Sequence, residues 1–71
     1  MELGTKIKYR RSSLGVTQAS LAKSIGVSVR TVQRYEEGTS KPNSIKLAEL
    51  EKVLKIDLRE RVEDDYDWYI Q

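Results

Sequence analysis

Cysteine, histidine and phenylalanine are missing from this 71-residue chain, and it holds a single proline and a single tryptophan. Each gap removes a class of chemistry. Without cysteine there is no disulfide frame and no thiol nucleophile. Without histidine as well, there is no ordinary zinc site and no imidazole base. Without phenylalanine the core has to be mainly aliphatic, and one proline leaves little to break helices. No apolar run is long enough to span a bilayer, and no charged-apolar-small leader precedes one. The expectation is a small cytoplasmic binding domain rather than an enzyme, with no cofactor and no membrane partner. At this length a single core only just outweighs chain entropy.

What the chain has is charge, unevenly placed. The net value of +2 averages two different regions. Residues 1–56 carry 11 basic and 5 acidic side chains, a local charge of +6, whereas residues 57–71 carry 2 basic and 6 acidic, a local charge of −4. The end is aromatic as well as acidic, reading Asp64-Asp65-Tyr66-Asp67-Trp68-Tyr69. Either these are two surfaces with different tasks, or a solvated helical surface with a frayed terminus.

Punctuation along the chain is local and regular. Gly4-Thr5 precedes a helical stripe of Ile7, Arg11 and Leu14, with Leu3 extending it backwards, and Gly15 ends it. Thr17 is a good N-cap for a second helix from Gln18 to Ser24, with Leu21, Ala22 and Ile25 facing inward. Gly26 suits the left-handed conformation at that helix end. Ser28 can cap a third helix, Val29 to about Glu36, which Gly38 stops. Lys41-Pro42-Asn43-Ser44 reads as a loop and cap before a fourth helix carrying Leu47, Leu50 and Leu54. Asp57 opens a fifth, in which Leu58, Val62 and Tyr66 fall four apart. No alternating pattern is long enough to form paired strands. The fold class is all-α, a compact bundle of about five short helices.

The informative unit runs from Thr17 to Glu36, TQASLAKSIGVSVRTVQRYE. Two short helices flank a glycine-containing turn. Ala22 lets them cross closely, and Ile25, Val27 and Val32 fill the angle between them. That is the pattern of a helix-turn-helix, whose second helix enters the DNA major groove. Around it stand Ile7-x-x-x-Arg11, Thr17-Gln18-x-x-Leu21-Ala22 and Ile25-Gly26-Val27-Ser28. Thr31-Val32-x-x-Tyr35-Glu36-x-Gly38-x-x-x-Pro42 follows, then Leu47, Leu50, Leu54 and Ile56. Over roughly residues 3–56 the chain resembles the phage-repressor and Cro-like family, also called XRE-type helix-turn-helix proteins. The resemblance implies a lambda-repressor-like fold and a bacterial or phage origin. The chain departs from the family at Glu51, commonly a small residue, and at Lys55, commonly glycine. It departs again at Glu60 and Arg61, which are more apolar in relatives.

Arg11 and Glu36 are charged residues at inward positions, which is tolerable only if they are paired. The simplest arrangement joins them to each other as a structural ion pair, and the resemblance implies the same link. The competing reading is a direct contact from Arg11 to phosphate.

The expected base-reading face is Ser28, Val29, Arg30, Gln33 and Arg34. Arg30 and Arg34 are one helical turn apart, with Gln33 beside them. Arginine matches guanine O6 and N7, glutamine matches adenine N6 and N7, and Val29 suits a thymine methyl. Outside a helix-turn-helix the same residues would read as a solvated helix face. Thr17 and Gln18, at a helix N-terminus, are expected at phosphate. Thr39 and Lys41, in the loop after the third helix, are expected there too, as the resemblance implies. Arg10 and Lys8 are further candidates. Thr17 as a simple cap and Lys41 as a solvated lysine are compatible alternatives.

Residues 1–63 are therefore read as a DNA-binding domain and 64–71 as an acidic aromatic tail. Leu58 and Val62 are assigned to the domain's own core. From Tyr66 onward, through Trp68, Tyr69 and Ile70, a two-fold dimer contact and a segment docking on a protein partner compete. Asp64, Asp65 and Asp67 lack the glycine and bidentate glutamate of a calcium loop, so no metal site is assigned. The expected function is a transcription regulator that binds double-stranded DNA as a repressor, as a homodimer on a two-fold operator. The alternatives are an antitoxin-type protein whose tail holds a partner, and an adaptor that kept the fold without DNA reading.

Overall fold

The structure, a computed structural model, describes residues 2–58. Four helices follow one another along them: α1 (Leu3–Ser13), α2 (Gln18–Ile25), α3 (Val29–Glu37) and α4 (Ser44–Leu54). There is no strand among the described residues. The expected fifth helix, with Val62 and Tyr66, lies outside them, as does the acidic tail. Its first stripe residue, Leu58, is described and is buried.

Three of the four helices start where a short polar side chain takes up a free backbone N–H. The Thr17 hydroxyl accepts from the Ser20 amide at 3.0 Å, the Ser28 hydroxyl from the Thr31 amide at 3.1 Å, and the Asn43 carboxamide oxygen from the Lys46 amide at 2.8 Å. Gly26 closes α2 at φ +74°, where a Cβ would be strained, so the chain turns within three residues into α3. α4 closes the same way on Lys55 at φ +56°, the one non-glycine residue with positive φ among those described.

The core is Ile7 from α1, Leu21, Ala22 and Ile25 from α2, Val32 and Tyr35 from α3, Leu50 and Leu54 from α4, and Leu58. Burying each large aliphatic side chain contributes about 1.5–3 kcal/mol. α3 packs on α1 and α2, while α4 packs on α2 and α1. The side of α3 that turns away from its two partners is thereby left open.

Two sequence expectations are corrected here. Leu14 is not an inner residue: α1 ends at Ser13, and Leu14 sits in the turn, 40% exposed. Gly4 does not precede α1 but lies in its first turn and is buried. A Cβ built on it would stand 2.5 Å from the Tyr35 carbonyl oxygen and 2.6 Å from that of Glu36. The N-terminus of α1 thus touches the C-terminal carbonyls of α3, an alignment of opposite helix ends that the helix dipoles favour.

Helix ends are also joined by cations from other helices. The Arg10 Nε donates to the Leu54 carbonyl at 2.8 Å, across the C-terminus of α4. The Lys46 Nζ donates to the Ile25 carbonyl at 2.7 Å, at the C-terminus of α2, and pairs with Glu49 at 3.1 Å. Both satisfy carbonyls that have no partner within their own helix. The Glu51 carboxylate accepts the Leu58 backbone amide at 2.9 Å and ties the chain after α4 back to that helix.

Candidate nucleic-acid interface

α3 has two unlike faces. Val32 and Tyr35 point into the core, Tyr35 only 7% exposed. On the open side stand Val29, Arg30 and Arg34, with the half-buried Gln33 next to them. Val29, at the first turn, is 39% exposed. Among the described residues the guanidinium groups of Arg30 and Arg34 make no hydrogen bond or ion pair. Their donors are free for a ligand, and five N–H groups in a fixed fork suit bidentate acceptors. The Ser28 hydroxyl caps the helix and lies 3.0 Å from the Thr31 hydroxyl, so its first duty is local.

The flanks of α3 also have a defined geometry. Thr17 is exposed and caps α2. Beyond α3, the Thr39 hydroxyl donates to the Arg34 carbonyl at 3.4 Å, while Lys41 is exposed. Thr17 and Lys41 therefore lie in the segments leading into α2 and out of α3. Arg10 is different. Its Nε is committed to the end of α4, which argues against the phosphate role considered for it. Lys8 is exposed on α1.

Arg11 and Glu36 meet. The Arg11 Nε lies 2.6 Å from Glu36 Oε2, and Arg11 Nη2 donates to Oε1 at 3.3 Å. The Arg11 Nη1 donates to the Val16 carbonyl at 2.9 Å. The two side chains are 13% and 4% exposed, so the guanidinium faces inward rather than toward an external anion. A pair so enclosed is favourable when its remaining lone pairs are also satisfied.

Gln18 supplies that third donor, a role its sequence position did not suggest. Its Nε2 donates to Glu36 Oε1 at 3.0 Å, and its Oε1 accepts from Gln33 Nε2 at 3.4 Å. The signal for it was present in the chemistry: a carboxylate offers about four acceptor sites, and one arginine fills only part of them. A polar chain thus runs from α1 through the end of α3 to the start of α2, and back to the open side of α3. Gln18 and Gln33 are joined by it, whereas Arg30, Arg34 and Lys41 are not.

The family model described as "Helix-turn-helix" matches residues 7–61. The chain belongs to the phage-repressor and Cro-like, XRE-type helix-turn-helix family. Among relatives, the HTH-type transcriptional regulator DicA of Escherichia coli K12 is 42% identical over 55 residues, 78% of this chain and 41% of that one. The multiprotein-bridging factor 1c of Arabidopsis thaliana is 39% identical over 61 residues, 86% of this chain and 41% of that one. Among solved structures, the c2 repressor of phage P22 in complex with a synthetic operator superposes with a TM-score of 0.78 at 33% identity, covering 82% of this chain and 88% of that one. The all-α helix-turn-helix architecture is shared with that repressor. The chain spans about two fifths of the length of these two curated relatives and of the HTH-type regulators of Sinorhizobium medicae and Rhizobium meliloti, so the likeness is one of the helix-turn-helix unit.

Proposed function

We propose that the chain is a sequence-specific DNA-binding transcriptional regulator, a repressor that occupies an operator through the major groove. One observation carries this reading: α3, held rigidly on two sides, presents Val29, Arg30 and Arg34 outward, with both guanidiniums uncommitted among the described residues. The likeness to a repressor solved with its operator supports it.

In this reading α3 lies in the major groove. Arg30 and Arg34 donate to guanine, Gln33 reads adenine, Val29 meets a thymine methyl, and Ser28 adds a contact at the helix start. Thr17, Gln18, Thr39 and Lys41 hold phosphate on either side and set the register. Arg11 and Glu36 keep α3 fixed against the scaffold. The protein acts by occupancy, without catalysis and without a cofactor, on double-stranded DNA in the cytoplasm of a bacterium. One unit reads a short half-site, and a homodimer on a two-fold operator places two recognition helices about 34 Å apart.

Titration with random-sequence duplex at two salt concentrations tests the class. Affinity is expected to fall steeply with salt, because bound phosphates release counterions. Absence of salt-sensitive binding at low salt would exclude the DNA reading and favour an adaptor. The relative named a multiprotein-bridging factor gives that second reading its foothold. A partner-binding role for residues 64–71, as in an antitoxin, is tested by deleting them and measuring DNA affinity alone. A repressor with a docking tail keeps half-site affinity.

A further inference from the structure

We propose that Glu37 limits the strength of DNA binding: its carboxylate stands against the phosphate backbone at the end of α3 and lowers affinity for every duplex by a similar factor. The proposal rests on the DNA-reading assignment above. It goes beyond it by giving a repulsive task to an acidic residue set among basic ones.

Glu37 is the last residue of α3 and is exposed. At about 100° per residue, Gln33, Glu37, Arg30 and Arg34 succeed one another around the helix in that order. The carboxylate therefore lies within the open arc, away from the buried Val32 and Tyr35. It also lines a cleft of about 460 Å³ together with Lys8, Gln18, Gln33 and Glu36.

Nothing in the fold uses this charge. Among the described residues the Glu37 carboxylate makes no hydrogen bond or ion pair, and Lys8, on the same cleft, does not pair with it. A helix C-terminus favours cations, so the free carbonyls at the end of α3 repel a carboxylate placed there. The first turn of α3, where an acid would be favoured, has none. The neighbouring Glu36 is enclosed and neutralised by Arg11. The negative charge that reaches the surface at this end of α3 is thus the one on Glu37.

Its place along the helix decides what it meets. Base edges are reached from the N-terminal residues of a reading helix. Glu37 stands eight residues beyond Val29, about 12 Å along the axis. That end of α3 leaves the groove and passes the sugar-phosphate backbone, on the flank where Gln18 is assigned to phosphate. Like charges closer than a Debye length, about 8 Å at physiological ionic strength, still repel. Phosphate carries no sequence information, so all duplexes are weakened alike and base preference is left to Arg30, Gln33 and Arg34.

The experiment titrates the full-length parent, Glu37→Gln and Glu37→Asp with a duplex selected from a random library and with random-sequence duplex, at two salt concentrations. Glu37→Gln is expected to bind both duplexes about three- to tenfold more tightly at low salt, with a smaller gain at the higher salt. The sites it selects should match those of the parent. Glu37→Asp keeps the charge and should bind like the parent. Urea melts of the same preparations are expected to show Glu37→Gln no less stable, whereas a merely structural role would move the melts and not the salt dependence of binding. Unchanged affinity of Glu37→Gln, with the parent binding in a salt-sensitive way, would make Glu37 a solvated surface residue and overturn the proposal. Weaker binding with an altered preference at one base pair would also overturn it, as the mark of a carboxylate accepting from cytosine N4. A gain shared by Glu37→Asp would assign the effect to shape instead of charge. A gain that disappears in the Lys8→Ala background would mean that Glu37 acts by engaging Lys8 and not against phosphate. Either result sinks the idea of direct repulsion. A parent without salt-sensitive binding would instead overturn the DNA reading itself.

Discussion

Gly4 shows how much a single residue can decide. Its α-carbon lies against the last carbonyls of α3, with no room for a methyl group. The atoms it would meet are backbone, which cannot swing aside. Gly4→Ala is expected to cost about 1–3 kcal/mol, the usual range for overpacking. Urea unfolding measures it, and an unchanged midpoint would mean that α1 and α3 separate freely. Lys55 is the converse. An L-residue in the left-handed region costs roughly 1–2 kcal/mol, partly offset by the greater freedom of glycine in the unfolded chain, about 0.4–1 kcal/mol. Lys55→Gly is expected to raise stability by about 0.5–1 kcal/mol, which is several degrees in Tm for a domain of this size. Glu36→Ala belongs to the same scale. It leaves the inward-facing Arg11 guanidinium without its counter-charge and is expected to destabilise by about 3–5 kcal/mol. A variant melting like the parent would show that the pair contributes little.

At the scale of elements, α3 is fixed from several directions: its N-terminus by Ser28, its inner face by Val32 and Tyr35, its C-terminal end by Gly4 and by the Arg11–Glu36 pair. A rigid support is what a reading helix requires, because base contacts discriminate only when their donors cannot drift. The basic side chains around α3 should then divide by role. Arg30→Ala is expected to relax preference at one base pair, losing about 1–3 kcal/mol of discrimination, whereas Lys41→Ala should weaken binding to every duplex and lower the salt slope by about 1. Arg10→Ala should do neither. Since Arg10 holds the end of α4, its loss should appear as a lower unfolding midpoint, with the salt dependence of binding unchanged. A reduced slope for Arg10→Ala would return it to the phosphate contacts. These outcomes are read from duplex titrations across salt and from melts of the same preparations.

For the molecule as a whole, the division of charge constrains where DNA can approach. Residues 1–56 carry +6 and residues 57–71 carry −4, so in the proposed reading a duplex is drawn to the first and repelled by the second. If a two-fold dimer forms on DNA, selected sites should be inverted repeats with half-sites centred about 10 base pairs apart. Selection that returns only single, unrepeated half-sites would count against the homodimer.

Much of this was legible in the sequence, for a physical reason. Caps, glycine turns and apolar spacing are local, so Thr17, Ser28, Asn43, Gly26 and Gly38 mark the helix ends with little help from the rest of the chain. Arg11 and Glu36 were visible as a pair because charges on an apolar stripe demand partners. Distant approaches left no such mark. That Gly4 lies inside α1 against α3 depends on how closely two helices cross, and nothing in Leu3-Gly4-Thr5 states it. That Arg10 serves α4, 44 residues onward, and that Gln18 bridges Glu36 and Gln33, depends on which side chains the packing brings within 3–3.5 Å. The sequence by itself determined the helices, the family and the candidates for the reading face, because these follow from periodicity and from residue types at fixed spacing. Only the tertiary structure decided which polar groups are spent inside the fold and which remain free, since hydrogen-bond partners are chosen by distance in space.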